Sequence, residues 1–149
     1  MINGVCVFDI DHTLTCENQC SLEQLEYMKK TIDLCTSNNF EIAINTARPP
    51  QHDILFNIQP DVRKKLENCP VYNRPSNGPA IELQKLENMH NIAKHFNVNV
   101  DHTILIDDLQ STCDLLTTLN IPSIKVEDEN GISEKEYNKL DKMLYDMSH

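Results

Sequence analysis

The sequence predicts an α/β fold, a doubly wound parallel sheet with helices on both faces (three-layer α/β/α), formed by one domain of 149 residues. Three observations predict it. Short apolar runs rich in Val, Ile and Phe alternate along the chain with segments of helical periodicity. Two of those runs end abruptly in acid, the pattern of strands buried on both faces with polar carboxyl ends. No Gly/Ser-rich or Pro-rich tract and no internal repeat divides the chain. Alternation of this kind implies parallel strands joined by right-handed helical crossovers.

The first strand is read at Gly4 to Ile10 (GVCVFDI), with Asp9 at its carboxyl end. Ser21 and Gln24 form a capping box ahead of Leu22, Leu25, Met28, Ile32 and Cys35 at helical spacing, which predicts the first helix. Phe40 to Asn45 (FEIAIN) reads as a second strand, and Pro49-Pro50 forbids its continuation, so Thr46, Ala47 and Arg48 fall in the loop beyond it. A weaker helix follows at Asp61 to Asn68, then an extended piece at Val71 and Tyr72 and a strong helix from Ala80 to Phe96. His102 to Asp108 (HTILIDD) is a further strand ending in acid; the helix Leu109 to Leu119, the strand Pro122 to Val126 and a helix from Ser133 to Met147 complete the pattern.

Composition narrows the function. With 40% hydrophobic residues the chain has enough apolar surface for a continuous core. A formal net charge of −10 with scattered basic residues repels nucleic acid and anionic membrane, which disfavours a nucleic-acid substrate. No apolar stretch approaches the roughly 20 residues that span a bilayer, and MINGVCVFDI lacks the pattern of a secretory leader. The expectation is a cytoplasmic protein without membrane contact. Six cysteines are then expected as free thiols. His12, Cys16 and Cys20 have the spacing H-x3-C-x3-C, but no fourth zinc ligand is evident and the segment reads as a short flap.

Ligands of doubly wound sheets bind outside the carboxyl ends of the strands. The polar residues of interest gather there: Asp9 and Asp11 after the first strand, Thr46 and Arg48 after the second, Asp107 and Asp108 after a later one. Four carboxylates at one sheet edge repel one another unless a cation sits among them, and hard oxygen donors suit Mg²⁺. Such an ion would let a carboxylate nucleophile approach an anionic phosphate. The Thr46 hydroxyl and the backbone amides beside it, at Ala47 and Arg48, would donate to phosphoryl oxygens, and a lysine would neutralise the remaining charge.

FDIDHTLT (Phe8 to Thr15), INTAR (Ile44 to Arg48), Lys85 near the start of a helix and LIDD (Leu105 to Asp108) occur in that order. Together they resemble the four motifs of the haloacid dehalogenase superfamily. The resemblance implies a Rossmann-like core and a Mg²⁺-dependent phosphatase in which Asp9 becomes covalently phosphorylated and Asp11 is general acid and base. It further implies that Thr46 binds the phosphoryl group and that Lys85, preferred over Lys94 on the same helix, orients Asp9. The metal would be held by the Asp9 carboxylate, the Asp11 carbonyl and a motif-four acid, here Asp108 with Asp107 close by. Two departures stand out. His12 occupies a position where glycine is usual, so that an imidazole faces the phosphate or the flap. The further acid expected four residues beyond Asp108 is Thr112, with Asp114 nearby.

Two other classes compete. A phosphate-accepting receiver module uses similar residues, but places its acceptor aspartate after the third strand and its lysine after the last. A catalytically silent phosphate-binding protein would not need both Asp9 and Asp11. The short stretches between Thr13 and Ser21 and between Thr46 and Lys85 leave no room for a cap domain. The expected site is therefore open, and either accepts a bulky substrate such as a protein or a nucleic-acid end or is closed by a second copy of the chain in a homo-oligomer. The substrate classes left open are a small phosphate ester, a phosphoprotein and a nucleic-acid 3′ end.

Overall fold

A computed structural model describes residues 1–149. Five strands form one all-parallel sheet: β1 (Gly4–Phe8), β2 (Phe40–Asn45), β3 (Val71–Tyr72), β4 (Thr103–Asp107) and β5 (Ser123–Lys125). Five helices connect and complete them: α1 (Leu22–Ser37), α2 (Pro60–Lys64), α3 (Ile81–Phe96), α4 (Gln110–Thr118) and α5 (Glu134–Ser148).

The strand order is β3-β2-β1-β4-β5. The chain builds outward from β1 to β2 and β3, then returns to place β4 on the other side of β1. Strand order therefore reverses next to β1, and a crevice opens at the carboxyl ends of β1 and β4.

Alternation along β1 divides the core. Cys6 and Phe8 join a cluster with Met28, Ile32 and Cys35 of α1, Val62 of α2 and Leu140 and Leu144 of α5. Val5 and Val7 join a second cluster with Met89 and Ile92 of α3 and Leu116 of α4. All five β1 residues are buried, so an unbroken apolar run is what this strand requires. Each large side chain buried in this way contributes about 1.5–3 kcal/mol.

The helix starts follow from local chemistry. The Ser21–Gln24 capping box forms at α1, and Ser133 with Glu136 forms a second one at α5. At the far end of α3, Asn97 takes the left-handed conformation (φ 57°) that asparagine tolerates and so ends the helix.

Four readings change. β1 ends at Phe8 rather than Ile10, because the chain turns at once: Thr13 and Leu14 donate to the Ile10 carbonyl. α2 stops at Lys64, its last turn tightened by the Lys65 N–H reaching Val62 O and Arg63 O. A 3₁₀ turn at Val100–His102 precedes β4. The expectation of six free thiols fails for two of them: Cys16 and Cys20 are joined in a disulfide, while Cys6, Cys35, Cys69 and Cys113 are free. The tight turn between Cys16 and Cys20 brings their α-carbons within 5.4 Å, inside the range that a disulfide spans. No helix is long and apolar enough to cross a membrane.

Candidate active site

The ladder between β1 and β4 runs one step past the end of β1, since Asp9 N donates to Ile106 O at 3.0 Å. That bond holds Asp9 at the crevice floor, where it is 4% exposed. Its carboxylate receives Lys85 Nζ at Oδ1 (2.8 Å) and the Thr13 hydroxyl at Oδ2 (3.2 Å). Lys85 is fully buried and also donates to Asp107 Oδ2 at 2.5 Å. Lys94, its rival on α3, is exposed.

The aim of Lys85 is set by an amide network. Asn45, at the end of β2, donates to the Lys85 carbonyl (3.0 Å), and Asn88 donates to Asn45 Oδ1 (2.9 Å) and Asn73 O (3.0 Å). Gln84 completes it by donating to Asn88 Oδ1 at 3.0 Å. This network pins the first half of α3 against β2. Sequence reasoning missed it: the periodicity of α3 places Gln84 and Asn88 one turn apart on its core face, but their partners Asn45 and Asn73 come from other segments.

Asp107 and Asp108 differ in their commitments. Asp107 is fully buried, accepts Lys85 at Oδ2 and accepts the Leu109 N–H at Oδ1 (3.0 Å). Asp108 is half-buried. Asp9, Asp107 and Asp108 present carboxylate oxygens within 4.8 Å of one another. Burial pushes the Asp9 carboxyl well above its ordinary range; the Lys85 charge opposes this and the Asp107 charge reinforces it. Burial likewise raises Asp108. Lys85 is pulled down by burial, but Asp9 and Asp107 override this and hold it protonated. One ammonium faces three carboxylates, so the group lacks positive charge, and its donors are all oxygen. That donor set fits a hard divalent cation.

Thr46 is fully buried at the end of β2, and its hydroxyl oxygen accepts the Arg48 N–H at 3.1 Å. This leaves the hydroxyl proton free to donate. Ala47, beside it, is partly exposed.

Asp11 is largely exposed, with its side chain at 55%. It is gripped by Arg48, whose Nε donates to Oδ2 (3.0 Å) and Nη2 to Oδ1 (2.8 Å). The hydrogen bonds from Arg48 hold the Asp11 carboxyl below its ordinary range. The pairing of Arg48 with Asp11 is not legible in sequence, because the two lie on different loops.

His12 has a left-handed backbone (φ 60°), the conformation that favours glycine at this position. Its ring Nδ1 lies 3.0 Å from Glu129 O, a contact that raises the imidazole pKa. His12 and Asp108 line a cavity of about 310 Å³ with Glu17, Lys125, Glu127 and Glu129. The disulfide takes both cysteine sulfurs out of any metal set with His12. At the position four residues beyond Asp108, Thr112 is buried with its hydroxyl unpartnered, whereas Asp114 is exposed and accepts Gln110 Nε2 at 2.6 Å.

No protein-family model matches the sequence, and no curated protein matches it.

Proposed function

We propose that this protein is a Mg²⁺-dependent phosphomonoester hydrolase of the haloacid dehalogenase type, on a doubly wound, three-layer, capless core. One observation carries the reading: a buried aspartate at the end of the central strand, paired with a buried lysine, lies beside a second acidic pair and two residues before a more exposed aspartate. A structural ion pair needs neither Asp108 nor Asp11 in that place.

The chemistry follows from the residues. Asp9 attacks phosphorus through one carboxylate oxygen; the new O–P bond forms as the P–O bond to the leaving group breaks, and Asp11, which Arg48 holds ionised in the free protein, takes a proton from the monoanionic ester as it binds and gives it to the departing oxygen. Asp11, now a carboxylate, takes a proton from water as that water's oxygen bonds to phosphorus. The Asp9 O–P bond breaks, which releases inorganic phosphate and restores the Asp9 carboxylate. Lys85 holds Asp9 in place and Thr46 donates to a phosphoryl oxygen. Asp9 and Asp108 would hold Mg²⁺ through their carboxylates, with the Asp11 carbonyl as a third ligand. The ion would neutralise charge between nucleophile and phosphate.

The lining of the cavity beside His12 bears on the substrate. Glu17, Glu127, Glu129 and Asp108 outnumber Lys125 there, which favours a neutral or cationic leaving group over a nucleic-acid end. A panel of phosphomonoesters assayed with Mg²⁺, with acid-quench trapping of phosphate on the protein, tests the proposal. Failure of every ester, together with no trapped phosphate, would favour a silent phosphate-binding protein.

A further inference from the structure

We propose that Arg48 is a positioning residue that fixes the Asp11 carboxylate and ties it to the loop at Ile54–Phe56, rather than a ligand of the substrate; this rests on the phosphohydrolase reading above. Arg48 is only 6% exposed. Four of its five N–H groups are committed: two to Asp11, and both from Nη1, to Ile54 O (2.9 Å) and Phe56 O (2.6 Å). One face of the guanidinium lies 3.8 Å from the centroid of the Phe56 ring. A side chain so enclosed has little left with which to hold a phosphate.

Asp11 shows the complementary arrangement. It stands at the crevice mouth with 55% of its side chain exposed, and both of its oxygens are held by Arg48. A short exposed carboxylate without such a hold samples several rotamers, and an acid that must meet a leaving oxygen in line loses rate for each one. The planar fork of arginine fixes both oxygens at once, which a lysine cannot do. The hold is itself braced from the core: Ile58 and Val62 are buried just beyond the loop that supplies the two carbonyls. Position therefore passes from the core, through the loop carbonyls and the guanidinium, to the carboxylate that gives and takes the proton.

The test compares wild type, Arg48→Lys and Arg48→Ala with Mg²⁺ on phenyl phosphate and on p-nitrophenyl phosphate, with and without added guanidinium ion. Phenoxide is the poorer leaving group and needs the proton from Asp11; p-nitrophenoxide needs it much less. For Arg48→Ala the single-turnover rate of phosphoenzyme formation from phenyl phosphate is expected to fall about 10²-fold. The fall with p-nitrophenyl phosphate is expected to be less than about tenfold. KM should not change, and guanidinium should restore much of the loss in Arg48→Ala but none in Arg48→Lys, whose side chain fills the space. Should Arg48→Ala not fold, the leaving-group contrast and the unchanged KM are read from Arg48→Lys.

A raised KM with kcat retained would make Arg48 a phosphate ligand and overturn the inference. Equal losses on both esters without guanidinium rescue would make its role structural only, and would overturn it as well. Either result leaves the phosphohydrolase reading standing. A wild-type protein that hydrolyses neither ester, nor any other phosphomonoester, overturns both together.

Discussion

Lys85 Nζ lies 2.8 Å from Asp9 Oδ1, deep in the molecule and 76 residues away in sequence. Both partners are almost wholly shielded from water, and Asp107 shares the same ammonium. Truncating one member of such a buried group leaves the others uncompensated, at a cost of about 3–5 kcal/mol. Lys85→Ala is therefore expected to lower the melting temperature strongly and to abolish turnover. A melting temperature within a degree or two of wild type would show that the ion pair does not form.

Asp9→Asn removes the nucleophilic oxygen while keeping size and shape, so turnover and trapped phosphoenzyme should both vanish with the fold retained. Asp11→Asn should slow both half-reactions by about 10²–10⁴. Circular dichroism and single-turnover assays check the pair; substantial turnover by Asp9→Asn would end the covalent mechanism.

Asp107 and Asp108 should separate when each is replaced. Asp107 accepts from both Lys85 and the Leu109 N–H, so Asp107→Ala should cost more stability. Asp108, half-buried and facing the cavity beside His12, should matter more for Mg²⁺ affinity. Titration of Mg²⁺ against each variant, with thermal melts, reads both effects, and the reverse order would reassign the ligand. Ca²⁺ should support activity poorly, because its larger and looser shell misplaces the attacking oxygen.

The raised pKa values of Asp9 and Asp108 predict a pH effect on stability without added divalent cation. A carboxyl whose folded pKa lies above its unfolded value binds more protons when folded, so its own contribution to stability is fully present below the unfolded pKa of about 3.9 and is lost as pH rises through the folded pKa. Asp11, lowered by Arg48, acts in the opposite sense below about pH 4, and its exposure makes that contribution small. Acidification through the interval between the raised folded pKa values and the unfolded one should therefore raise the melting temperature in EDTA. Mg²⁺ at about 100 times its Kd should add about 2.7 kcal/mol above that interval, and less as pH falls through it. Calorimetry in EDTA and in Mg²⁺ across a pH series tests this; identical pH profiles in the two would count against a cation at these carboxylates.

Gly131 supplies a test of the loop that holds His12. Its φ is +90°, and a β-carbon there would lie 2.6 Å from Met28 Cε and 2.7 Å from the Thr13 carbonyl. Gly131→Ala is expected to destabilise the protein by more than about 1 kcal/mol, measurable by urea unfolding.

Local patterns in the chain were enough for most of the fold. The apolar runs at Gly4–Phe8 and Thr103–Asp107, the capping box at Ser21 and the periodicity of Ile81–Phe96 are one-dimensional signals, because burial and helix capping act over a few residues. The positions of Asp9, Thr46 and Asp107 at strand ends followed from the same signals. The order β3-β2-β1-β4-β5 did not, since it depends on which side of β1 each crossover returns to. The Asn45–Asn88 network, the Arg48–Asp11 grip and the different commitments of Asp107 and Asp108 were also decided only in three dimensions. Each joins groups from separate segments, and whether a buried polar atom is satisfied depends on which segments the sheet brings together, a condition that no local pattern encodes.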